Sequence, residues 1–129
     1  MKIWRGEKIW NAVVVKIKTP DGTAILIINE DDKHCVKSFD LMLGKAGSSV
    51  RAWSYALAKM LTLAMENGAT VEDIISELSN THSDRVSYDN GVAIRSGIDG
   101  LVKGLMKYQS NKFISMTSYL SDVPSFGGI

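Results

Sequence analysis

Residues 10–28, WNAVVVKIKTPDGTAILII, decide the fold. From Trp10 to Lys18, Val13, Val15 and Ile17 fall on one face and Val14, Lys16 and Lys18 on the other. This is the period-two pattern of a half-buried strand. The next five residues, Thr19-Pro20-Asp21-Gly22-Thr23, form a turn. Proline presets φ near −65° and glycine accepts positive φ. Ala24 to Ile28 therefore returns antiparallel, and the unbroken run Ile25-Leu26-Ile27-Ile28 reads as a central strand covered on both sides.

Working outward, a polar turn at Asn29–Lys33 leads into His34–Leu43, where alternation predicts a third strand with Cys35, Phe39, Leu41 and Leu43 on one face. After Gly44-Lys45-Ala46-Gly47-Ser48-Ser49 the period changes. Val50, Trp53, Leu57, Met60, Leu61 and Ala64 recur at helical spacing until Gly68. Tyr55, Ala56, Ala58, Leu63 and Met65 lie off that stripe and are also apolar or weakly polar, so this helix needs cover on more than one side, which a second subunit would supply. Thr70 followed by Glu72 and Asp73 caps a short helix through Leu78, with Ile74, Ile75 and Leu78 inward. Asp89-Asn90-Gly91 turns between Val86–Tyr88 and Val92–Ile94. Ser96-Gly97-Ile98-Asp99 caps a last helix to about Tyr108, with Ile98, Leu101, Val102 and Leu105 on its apolar face and Gly97, Gly100 and Gly104 open to close approach. The expected class is α+β: an antiparallel sheet of three or more strands packed on two to three helices. One domain spans residues 1–110, and a tail, 111–129, adds an edge strand or remains mobile.

Composition sets limits on function. Fifteen Lys and Arg against fourteen Asp and Glu leave a net charge of +1, which gives no electrostatic case for duplex nucleic acid or a membrane surface. Any anion must meet a local site. Neither a signal-peptide pattern nor eighteen consecutive apolar residues occurs, and the expectation is a cytoplasmic protein. The lone Cys35 reads as a buried apolar thiol in a reducing compartment. His34 and His82 have no partners at metal-ligand spacing, no nucleophile stands beside a base, and the carboxylates of Glu30-Asp31-Asp32 read as solvated turn charges. Neither an enzyme, a metal site nor a cofactor is expected.

The residues that point to binding lie at two helix starts. Ser48 or Ser49 as N-cap leaves backbone N–H groups exposed at the positive end of a helix dipole, and Lys45 and Arg51 add full charges beside the flexible Gly47. An ordinary capped helix with two solvated cations gives the same pattern, and the loop lacks the GxxxxGK[ST] phosphate signature. Arg95 and Ser96 repeat the arrangement at the last helix, where an ion pair of Arg95 with Asp99 is the competing explanation. Two such seats suit a ligand with two phosphates. Tyr88 offers a stacking face for a base, with Asn90 beside it.

Three blocks, IWNAVVVKIKTPDGTAILII (9–28), LMLGKAGSSVRAWSYALAKMLTLAMENGATVEDIISELS (41–79) and RSGIDGLVKGL (95–105), carry a resemblance. From about Trp10 to Tyr108 the chain resembles the TSCPD domain, an accessory module of adenosylcobalamin-dependent ribonucleotide reductases that also occurs alone. Gly97 and Ile98 stand where the motif naming that domain has Cys and Pro, which removes the residue a thiol or metal role would use. As a short stand-alone chain it is also similar to the phage-encoded Thoeris anti-defence sponges. That resemblance implies binding of cyclic ADP-ribose isomers or cyclic oligonucleotides without cleavage, in the host cytoplasm, by a homo-oligomer from dimer to hexamer. The ligand-binding residues expected on the physical argument are Lys45, Gly47, Ser48, Ser49, Arg51, Tyr88, Asn90, Arg95, Ser96 and Asp99.

Overall fold

A computed structural model describes the backbone of residues 2–5 and 8–121 and the side chains of residues 11–112. The chain order is β1 (Lys2–Arg5), β2 (Lys8–Thr19), β3 (Gly22–Glu30), β4 (Val36–Met42), α1 (Ser49–Glu66), α2 (Val71–Leu78), β5 (Ser87–Asp89), β6 (Val92–Ile94) and α3 (Gly97–Ser121). The first four strands form one antiparallel sheet in sequence order, and β5 and β6 a separate hairpin. The α+β expectation holds, with β1 added ahead of the first expected strand.

The hairpin forms where turn chemistry requires it. Thr19 faces Gly22 across the ladder, Gly22 has φ +113°, and the Thr19 hydroxyl donates to the Gly22 carbonyl at 2.7 Å while accepting the Asp21 N–H at 3.1 Å. The register Val13↔Ile28, Val15↔Leu26, Ile17↔Ala24 continues as Leu26↔Leu41 and Ile28↔Phe39. One face of the sheet thus gathers Val15, Ile17, Leu26, Ile28, Phe39 and Leu41, against which Leu61, Leu101, Leu105 and Tyr108 pack from the helices. Each such side chain contributes roughly 1.5–3 kcal/mol by leaving water. The opposite face is only half covered: Ile25 and Ile27 are partly buried and Val14 is exposed. The apolar run in β3 therefore reflects a central strand in the plane of the sheet rather than cover on both sides.

Edges are managed locally. On the edge strand β4, the Phe39 N–H donates to the Thr62 hydroxyl of α1 at 3.0 Å, which occupies a group another strand would otherwise pair with. Beyond β1, the free edge of β2 is met by the β5–β6 hairpin: Lys18 N–H donates to Asp89 Oδ1 at 3.1 Å and the Ser87 hydroxyl to the Lys18 carbonyl at 3.2 Å.

Several expectations need correction. Cys35 is exposed, because a register shift at Asn29/Glu30 starts β4 at Val36 and leaves Cys35 in the turn. Within α1 the covered positions are Ser54, Ala58 and Leu61, with Val50, Trp53, Leu57 and Met65 partly buried. Met60 is 61% exposed, and Tyr55 and Leu63 also face outward. The last helix does not stop near Tyr108 but runs to Ser121, so residues 111–121 of the expected tail are helical. Neither Gly nor Pro interrupts that stretch. Residues 122–129 lie outside the described residues, as do the side chains of Trp4 and Trp10. No helix among the described residues is long and apolar enough to cross a membrane.

Candidate functional site

The loop before α1 is built by two glycines in the left-handed region, Gly44 at φ +80° and Gly47 at φ +83°. Ser48 is the N-cap: its hydroxyl accepts the Arg51 N–H at 3.1 Å and donates to the Lys45 carbonyl at 2.7 Å. That leaves the N–H groups of Ser49 and Val50 without an intrahelical acceptor. No acidic residue occupies the first turn. The Arg51 guanidinium folds back, donating to the Gly44 carbonyl at 3.0 Å, so the loop is closed by the same cation expected to face a ligand. Lys45 and Ser49 are exposed, and nothing lies within 4 Å of where a Gly47 side chain would begin. This end of α1 is open and positive.

The start of α3 has the expected cap, Asp99 N–H donating to the Ser96 hydroxyl at 2.9 Å, but two N–H groups around it are already taken by carboxylates. Gly97 N–H donates to Asp21 Oδ2 at 3.0 Å and Arg95 N–H to Asp99 Oδ2 at 2.8 Å. Asp99, with its side chain 3% exposed, also meets Lys103 Nζ at 3.3 Å and lies 4.0 Å from His82 Nε2. Arg85 pairs with Asp21 Oδ1 at 2.8 Å. Arg95 and Asp99 are thus linked through a backbone N–H, and the Arg95 side chain is exposed.

The two helix starts meet. A Cβ on Gly97 would stand 2.4 Å from Leu43 Cδ2 and 3.5 Å from the Trp53 ring, and one on Gly22 would stand 3.9 Å from Gly44 N. The α1 loop, the β2–β3 turn and the first turn of α3 therefore form one end of the domain. The β5–β6 hairpin borders it through Lys18. Tyr88, 62% exposed, pairs with Ala93, and Arg95 directly follows the end of β6. Asn90, at φ +48°, and Gly91 make the hairpin turn. Asp21 and Arg85 escaped the sequence reading. Asp21 looked like a turn residue, and its partners lie 64 and 76 positions away.

A second polar cluster, at the β3–β4 turn, was also missed. Glu30 is buried, accepts the Tyr108 hydroxyl, and lies 3.4 Å from His34 Nδ1 and 3.8 Å from Lys112 Nζ. Burial, reinforced by that carboxylate, pushes the Tyr108 phenol well above its ordinary value. The Cys35 N–H, together with that of Lys33, holds the Asp31 carboxyl below its usual value. An open groove of about 600 Å³ adjoins this cluster, lined in part by Val36, Met65, Ala69 and Val71. Among the described residues no group of three or more His, Cys, Asp or Glu side chains could hold a metal ion.

Compared with known protein families, the chain matches the TSCPD domain over residues 7–109. No curated protein and no solved structure matches it.

Proposed function

The chain belongs to the TSCPD-domain family, and from that premise we propose that it is a non-catalytic module that binds and sequesters cyclic ADP-ribose isomers, and by the same chemistry cyclic oligonucleotides, as a phage counter-defence sponge. The observation that carries the reading is the meeting of the two helix starts at the β2–β3 turn. In it, the open α1 loop takes one phosphate on the Ser49 and Val50 amides with Lys45 and Arg51. Arg95 takes the other phosphate at the rim of the α3 start, beside Ser96 and Asp99, while Tyr88 and Asn90 meet a base or ribose. Charge-assisted hydrogen bonds in a loop already ordered by its cap supply affinity at small reorganisation cost. The outward Tyr55, Met60 and Leu63 on α1 give a second copy an apolar surface to cover, which supports a homo-oligomer.

The same apolar face supports a second reading: an accessory module docked on a larger protein, in the manner of the vitamin B12-dependent ribonucleotide reductases that carry this domain. One experiment separates the two. The protein is incubated with cyclic ADP-ribose isomers and cyclic oligonucleotides, freed of unbound ligand and heat-denatured, and the released material is analysed. Intact ligand is the expected result, and Arg95→Ala should abolish capture without unfolding the protein. Altered ligand would make it an enzyme, and no ligand would favour the accessory role.

A further inference from the structure

We propose that Asn90 is a site of spontaneous deamidation, and that its isoaspartyl product releases the β5–β6 hairpin from the edge of β2. The chain holds two Asn-Gly pairs, Asn67-Gly68 and Asn90-Gly91. A following glycine, without a Cβ, leaves its amide nitrogen open to the asparagine side chain. Sterics do not distinguish the two pairs, since nothing lies within 4 Å of where a side chain on either glycine would begin. Hydrogen bonding does. At the end of α1 the Gly68 N–H donates to the Met65 carbonyl at 3.1 Å and Asn67 Nδ2 to the Leu63 carbonyl at 2.8 Å, so nucleophile and leaving group are both tied down. At the hairpin tip Asn90 and Gly91 are exposed, and among the described residues neither the Asn90 side chain nor the Gly91 N–H has a hydrogen-bond partner.

Hydroxide from solvent takes the Gly91 amide proton, and the nitrogen lone pair forms a bond to Asn90 Cγ. The Cγ–Nδ2 bond breaks, ammonia leaves with a proton from water, and an imide ring remains. Water then opens the ring on either side. Cleavage between Cγ and the nitrogen gives aspartate in an unaltered backbone, and aspartate tolerates the φ of +48° at this position. Cleavage at the main-chain carbonyl routes the backbone through Cγ and lengthens it by a methylene. The two-residue turn that pairs Asp89 with Val92 has no room for that atom, because its two central residues must match the twist of the strands. Asp89 and Ser87 are the residues that hold Lys18, at 3.1 and 3.2 Å. An isoaspartyl turn that breaks their register therefore lets go of β2.

The protein is held in warm, mildly alkaline buffer, either folded or unfolded in guanidinium chloride, and peptide mapping follows asparagine, aspartate and isoaspartate at both sites. Unfolded, the two sites should convert at similar rates. Folded, Asn90 should convert at least about 5 times faster than Asn67, the factor set by two net hydrogen bonds that must open before Asn67 can react. In the isolated isoaspartyl form, hydrogen exchange at the Lys18 N–H should be about 10-fold faster or more, because that group has lost a charged acceptor, while Leu26 and Leu105 keep their protection. Freshly prepared Asn90→Asp, with its normal backbone, should exchange like the wild type. Equal rates at the two sites in the folded protein, or an Asn90 that stays intact while the unfolded chain converts, overturns the modification site. Unchanged exchange at Lys18 in the isoaspartyl form, the same acceleration in Asn90→Asp, or loss of protection throughout the domain overturns the release of the hairpin.

Discussion

Replacing Gly100 by alanine should destabilise the protein, although in an exposed helix interior the same change adds about 1 kcal/mol. A Cβ at this position would stand 2.4 Å from Thr19 Cγ2, more than 1 Å inside an ordinary carbon–carbon contact. Thr19 cannot rotate away freely. Its hydroxyl is fixed between the Gly22 carbonyl and the Asp21 N–H, and the residue is 4% exposed. Overpacking of this kind costs about 1–3 kcal/mol, so after the gain in helix propensity a net loss of up to about 2 kcal/mol remains. Urea unfolding should show a lower midpoint with an unchanged m-value. Thr19→Ser removes the clashing methyl and keeps the hydroxyl, so in the double mutant Gly100→Ala should become neutral or stabilising. The helix-propensity gain cancels in the mutant cycle, which would then give a coupling of about 1–3 kcal/mol. An equal effect of Gly100→Ala on both backgrounds, or stabilisation by the single change, would refute the close packing of α3 on the β2–β3 turn.

Two further outcomes follow from hydrogen bonds. Ser48→Ala removes the acceptor of the Arg51 N–H and should lower stability by about 1 kcal/mol in thermal or urea unfolding, whereas Ser49→Ala should leave it nearly unchanged. Tyr108→Phe leaves the buried Glu30 without its hydroxyl donor and should cost about 1–3 kcal/mol. Because the folded-state pKa of Tyr108 is raised above its ordinary 10.0, its contribution is complete below about pH 10 and is lost as pH climbs toward the shifted value. Wild-type stability should therefore fall across that alkaline window, and Tyr108→Phe should fall less.

The elements were legible wherever a short-range rule fixed them. Proline and glycine around Asp21 announced the hairpin, Ser48-Ser49 and Thr70 announced helix starts, with Ser48 the cap in the first, and Asn90-Gly91 announced the β5–β6 turn. Failures came where a distant partner overrode local pattern. Glu30 reads as one of three solvated acids until Tyr108, 78 residues on, takes its carboxylate out of water. Cys35 continues the strand alternation on paper, but the register shift next to it takes it off the ladder. In α1, helical period alone fits Met60 as well as Ala58, and only the approach of β4 decides which side is buried. The candidate site followed the same division. Its individual cations and caps, Asp99 included, could be named from sequence, while the Asp21 carboxylate at the α3 start could not, since Asp21 and Gly97 are brought together only by the fold.

That juxtaposition has a consequence for separating binding from stability. The β2–β3 turn holds Thr19, which packs against Gly100, and two residues later Asp21, which meets Arg85 and Gly97. A change that deforms the turn shifts both sets of contacts together, so loss of ligand after such a change says nothing about charge. A change confined to the Asp21 carboxylate leaves the Thr19 hydroxyl bonds standing. An electrostatic effect on binding is then distinguishable from distortion by salt. Added salt should weaken charge-based binding, because solvent-facing charges are screened over about 10 Å at 0.1 M. It should leave the Gly100–Thr19 coupling nearly untouched, because that coupling is steric and buried. Ligand capture that was unchanged at high salt would place its origin in shape rather than in charge.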